Sequence, residues 1–103
     1  MDKIAMLTEI LQANPNDAFA RYGLAMEHLS QGDSEKALAE FAGVTERNPD
    51  YVPAYQMSAQ TLAKLHRNGE AIARLRAGLD AARRTSNGHA SSEMQALLDE
   101  LES

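Results

Sequence analysis

Gly32-Asp33-Ser34-Glu35-Lys36-Ala37-Leu38-Ala39-Glu40-Phe41 returns further along the chain as His66-Arg67-Asn68-Gly69-Glu70-Ala71-Ile72-Ala73-Arg74-Leu75. Ala37 and Ala71 are 34 residues apart, and the same offset links Pro15 with Pro49, Ala20 with Ala54, Ala25 with Ala59, Ala39 with Ala73 and Phe41 with Leu75. Each copy is a turn followed by a run of small apolar residues, with alanine where two helices must approach closely. Self-similarity at this period predicts stacked helical hairpins, each burying one face on its neighbours. The fold class expected is therefore all-α, a stack of antiparallel helix pairs with about six helices.

Outward from that stretch, turn chemistry sets the boundaries. Gly32 offers a left-handed helix stop and Asp33 a cap for a helix over 34–47, which carries Ala37, Leu38, Phe41 and Val44 on one side. The preceding helix spans 17–31 with Asp17 as cap and Tyr22, Ala25 and Leu29 inward. Asn14-Pro15-Asn16-Asp17 separates it from a first helix over 2–12, capped by Asp2 and striped by Ile4, Leu7 and Leu11. Asn48-Pro49-Asp50 closes the first hairpin. Asp50 is the expected cap of a fourth helix with Pro53 in its first turn, and Asn68 that of a fifth running from Gly69 to about Arg84. Thr85-Ser86-Asn87-Gly88-His89 reads as a polar linker, and Ser92 with Gln95 as a capping box beside Met94, Leu97, Leu98 and Leu101. The whole forms one domain, 1–103: an N-terminal capping helix in 1–14, repeats over 16–49 and 50–84, and a C-terminal capping helix over 90–102.

Composition agrees with helices rather than a sheet. The apolar fraction is 44%, yet there is no Trp and only two Phe and three Tyr. The absence of cysteine removes disulfides and thiolate metal sites. No apolar run approaches a membrane span and the N-terminus lacks a signal-peptide pattern, so a cytoplasmic protein is expected, without a membrane partner. The net charge of −5 opposes binding to a phosphate backbone, and no nucleic-acid partner is expected. Charge is nevertheless uneven. Lys64, Arg67, Arg74, Arg76, Arg83 and Arg84 crowd 64–84 against only Glu70 and Asp80, while Glu93, Asp99, Glu100 and Glu102 face no lysine or arginine in 85–103. The basic stretch reads as solvated faces and intrachain pairs, or as the seat of an acidic partner segment.

These residues resemble the tetratricopeptide repeats. The matches are Leu24, Ala25, Gly32, Ala37, Phe41 and Pro49 in one unit, and Tyr55, Ala59, Leu62, Ala71 and Leu75 in the next. The resemblance covers about residues 16–84. Departures are Arg21 in place of a large aromatic, His28 of tyrosine, Ser58 of leucine, His66 of the turn glycine and Gly78 of alanine. The resemblance implies that the stack is right-handed and that the leading helix of each hairpin lines a concave groove that binds a peptide or helical segment of a partner protein. Carried over by position, the groove residues are Phe19, Tyr22, Gly23, Met26 and Ser30, then Pro53, Gln56, Met57, Gln60 and Lys64. The subgroup that grips a partner's terminal carboxylate has lysine or asparagine where this chain has Tyr22, Met26 and Met57, so that mode is not expected.

Spacing places the same residues together without the family. Phe19, Gly23, Met26 and Ser30 recur at i, i+4, i+7 and i+11, and Pro53, Met57, Gln60 and Lys64 repeat the pattern. A strip of aromatics, methionines and glutamines suits an adaptable peptide-accepting surface; the competing reading covers Phe19 and Tyr22 with the first helix. Met94, Leu97, Leu98 and Leu101 form a second candidate surface, for homodimer formation through the C-terminal helix. No enzyme is expected and no cofactor. His28, His66 and His89 sit in different elements without HExxH-like pairing, and no serine stands in a Gly-x-Ser-x-Gly elbow.

Overall fold

A computed structural model of the protein describes residues 2–103; residue 1 of the expected N-terminal helix lies outside them. The described residues form six helices and no strand: α1 (Lys3–Ala13), α2 (Ala18–Ser30), α3 (Ser34–Arg47), α4 (Val52–Lys64), α5 (Asn68–Arg84) and α6 (Gly88–Glu102). The chain divides into two compact units, Met1–Asn48 and Pro49–Ser103, with three helices in each.

In the first unit the caps are those the sequence predicts. Asp2, Asp17 and Asp33 each accept the backbone N–H three residues on, from Ala5 at 2.7 Å, Ala20 at 2.9 Å and Lys36 at 3.2 Å. Each bond satisfies an amide that the helix start leaves without a partner. Leu11, Ala20 and Leu24 are buried together, with Ile4 and Leu7 against them. In the α2–α3 hairpin Ala25, Ala37 and Phe41 are fully buried, and the Tyr22 ring tilts at 55° to Phe41 with centroids 5.8 Å apart. Arg21, at the family's aromatic position, donates to Glu40 at 2.9 Å and to the Pro15 carbonyl at 3.2 Å. Its charge is thus neutralised where an aromatic ring would have packed.

The second unit has a core of Val52, Tyr55, Ala59, Leu75, Ala81, Ala82, Ala90, Met94 and Leu98. Ala71, the equivalent of Ala37, is likewise fully buried. Three sequence expectations are corrected here. Asp50 does not cap α4: Tyr51 is the N-cap, without a side-chain bond, and the Asp50 carboxylate accepts Arg84 Nε–H at 2.6 Å. Asn68 does not cap α5 but is its first residue, after an Arg67 N-cap with no side-chain cap bond. Ser92 and Gln95 form no capping box, because α6 begins earlier, at Gly88. Its cap is Asn87, which accepts Ala90 N–H at 3.1 Å.

The last correction follows from a turn that occurs three times. Asp33 N–H reaches the His28 carbonyl, Arg67 N–H the Leu62 carbonyl and Asn87 N–H the Ala82 carbonyl, at 2.8, 2.9 and 2.8 Å. Each is the six-residue closure of a helix that stops on a left-handed residue. That residue is Gly32 (φ 81°) in the first turn, His66 (φ 59°) in the second and Ser86 (φ 56°) in the third. Thr85–Asn87 is therefore a helix-to-helix turn and not a linker, and α6 packs on α5 as the next helix of the series.

Candidate interaction surface

The third turn changes which helices carry the candidate surface. α2 and α4 start 34 residues apart, and α6 starts 36 after α4, in part because α5 is longer than α3. Ala20, Ala54 and Ala90 occupy the same place near the starts of α2, α4 and α6, and all three are buried. One turn on stand Leu24, Ser58 and Met94, also buried. α6 is thus a third leading helix. The sequence reading missed this because the offset is not constant and Ser86 hides the turn; the Asn87 cap followed by Ala90 was the signal that could have revealed it.

The expected groove residues fall into two sets. On α2 of the first unit, Phe19 stands 79% exposed and is not covered by α1. Tyr22, Gly23 and Met26 are half-buried and Ser30 is exposed. On α4 of the second unit, Pro53, Gln60 and Lys64 are exposed, and Gln56 and Met57 half-buried. Beside this α4 face an open cleft of about 360 Å³ separates α4 from α6. Leu75, Met94 and Leu97 provide its apolar part, Gln56 and Gln60 its amides, and Glu93 and Glu100 its carboxylates. Gln56 Nε2 donates to Glu93 Oε1 across the cleft at 3.2 Å, and His89 Nε2 lies 3.2 Å from the same oxygen. Glu93, Ala96 and Glu100 were not among the residues foreseen.

Of the stripe put forward for self-association, Met94 and Leu98 are buried in the core of their own unit. Leu97 and Leu101 pack against that core.

The five arginines of the basic stretch make intrachain contacts, while Lys64 stands exposed. Arg67 pairs with Glu70 at 2.6 Å, Arg76 with Glu102 at 2.6 Å, Arg83 with Asp80, and Arg84 with Asp50. The hydrogen bond from Arg67 holds the Glu70 carboxyl below its ordinary pKa, and the bond to Asp50 raises that of Arg84. The Arg74 guanidinium lies 4.7 Å from the centroid of the Tyr55 ring, and burial lowers its pKa. A larger cleft, about 890 Å³, opens between α5 and α6, and its walls carry Arg76, Asp80, Arg83 and Asp99. Leu79, Ala96 and the Gln95 amide, which donates to Asp99 at 2.9 Å, line it as well.

Among the described residues no three histidine, aspartate or glutamate side chains are grouped to hold a metal, and no helix is long and apolar enough to cross a membrane. His28 is half-buried on α2, His66 forms the second turn, and His89 lies in the first turn of α6.

Leading and following helices joined by one recurrent turn, with alanines at the closest approaches, define a helical-repeat scaffold. The chain belongs to the tetratricopeptide repeat family, whose profile matches residues 4–58 and 28–98. A tetratricopeptide repeat domain protein from Salinibacter ruber, solved in solution, is 35% identical with a TM-score of 0.80, over 86% of this chain and 90% of that one. The TPR2B domain of yeast Sti1, in its complex with pHsp70, has a TM-score of 0.87 at 21% identity, over 96% of this chain and 79% of that one. The type III secretion translocator chaperone SycD of Yersinia enterocolitica has a TM-score of 0.86 at 12% identity, over 96% and 69%. These last two likenesses are of fold alone. No curated protein matches the chain in sequence.

Proposed function

We propose that the protein is a protein-interaction module that binds a peptide or helical segment of a partner on the exposed faces of its leading helices, without making or breaking bonds. The observation that carries this reading is the α4–α6 cleft. It runs open between α4 and α6 over the half-buried Leu97 and the exposed Ala96, with Leu75 and Met94 buried beneath, and its rims bear the amides of Gln56 and Gln60. On α4 the half-buried Met57 adds to this surface, and in the first unit the exposed Phe19 and half-buried Met26 give α2 a face of like chemistry. Two of the folds most similar to this one belong to a domain solved with pHsp70 and to a secretion chaperone, which supports the reading by likeness.

A surface of this size buries little area, so single-site affinity is expected on the order of micromolar. Random peptides displayed on phage and selected against the full chain test the proposal. Gln60→Trp, which fills the cleft from an exposed position, should remove binding while circular dichroism shows the helices intact. Failure to select any peptide, or binding indifferent to Gln60→Trp, contradicts the reading.

A further inference from the structure

We infer that the α4–α6 cleft is selective for a basic partner segment, in which the stem of a lysine or arginine lies over Ala96 and Leu97 and its cation reaches Glu100; this rests on the peptide-binding reading above. Three observations lead there. Glu93 and Glu100 stand seven residues apart on α6, two turns or roughly 10 Å along one face, and both line the cleft. No lysine or arginine lines it. The five arginines of 64–84 are engaged elsewhere, with Glu70, Glu102, Asp80 and Asp50 or over the Tyr55 ring, and Lys64, exposed one turn beyond Gln60 on α4, does not line the cleft.

The two carboxylates differ in what they have left to offer. Glu93 already accepts from Gln56 and faces His89, which fixes its position. The Glu100 side chain enters no hydrogen bond or ion pair among the described residues and stands exposed beside the half-buried Leu97. Ala96 and Leu97 with a carboxylate at their margin match a side chain that lays down a methylene stem and keeps its charge in water. An acidic segment would instead meet two like charges, which costs affinity and slows encounter. The overall charge of −5 favours approach of a basic partner in the same sense.

The experiment is the peptide selection with its sequences read out, followed by titration calorimetry of the best synthetic peptide against the wild-type chain, Glu100→Gln and Glu100→Lys. Selected peptides should carry lysine or arginine next to an apolar residue. Their affinity should fall about tenfold in Glu100→Lys and less in Glu100→Gln, and should weaken as salt is raised. Peptides that are lost in Gln60→Trp but are neutral or acidic, and indifferent to Glu100→Lys, overturn the basic selectivity and leave the peptide-binding reading standing. Basic peptides that bind equally to Glu100→Lys place the contact elsewhere and also overturn it. A cleft that takes only a second copy of the chain would yield no peptide and a solution mass that Glu100→Lys lowers, and that result overturns both readings.

Discussion

At the scale of single residues, Gly78 shows how a departure from the family pattern is absorbed. A Cβ at this position would lie 2.7 Å from Tyr55 Cβ and 2.7 Å from Met94 Sδ, closer than such atoms come. The thioether is the flexible end of a side chain and can give way, but Tyr55 Cβ is tied to the α4 backbone and cannot. The tyrosine is held further by its hydroxyl, which donates to the Pro49 carbonyl at 2.8 Å. Gly78→Ala is therefore expected to lower stability by about 1–3 kcal/mol, despite alanine's better helix propensity. Gly69, in the first turn of α5, has nothing within 4 Å of the same added atom, and Gly69→Ala should raise stability by up to about 1 kcal/mol. Urea unfolding of the two variants checks both signs. Equal effects would mean that helix propensity rather than close approach governs position 78.

At the scale of elements, the helices stop through one backbone device carried by three different residues. Glycine adopts the left-handed conformation without penalty, whereas a side chain there costs roughly 1–2 kcal/mol in sterics. His66→Gly and Ser86→Gly are therefore each expected to stabilise the protein by about 1 kcal/mol, and Gly32→Ala to destabilise it by a similar amount, in chemical denaturation with unchanged m-values. Losses at all three positions would show that His66 and Ser86 make contributions their φ angles do not reveal. The same device marks how far an element could be read from the chain. The helix stop at Gly32 was legible because glycine announces it. The stop at Ser86 was not, and with it went the true start of α6 and the role of Asn87.

At the scale of the molecule, the units Met1–Asn48 and Pro49–Ser103 each hold their own apolar cluster. The second depends on α6. Met94 is among the largest fully buried side chains and belongs to the same core as Tyr55 and Leu75. Met94→Ala should cost about 2–5 kcal/mol by the cavity it leaves. Amide hydrogen exchange should show the loss of protection in α4, α5 and α6 before α1, α2 and α3. Uniform loss across all six helices would mean that the two clusters unfold as one.

The sequence by itself determined that the chain is helical, the repeat that relates α2–α3 to α4–α5, and the family they belong to. Caps act across three residues and helical stripes recur every three to four, so these signals are local and survive without knowledge of the fold. Tertiary structure alone decided the rest. Arg84 finds Asp50 across 34 positions and Arg76 finds Glu102 across 26. Glu93 and Glu100 come to face Gln56 and Gln60 only because α6 lies beside α4. Such pairings follow from which helix faces which, and no short-range pattern in the chain encodes that.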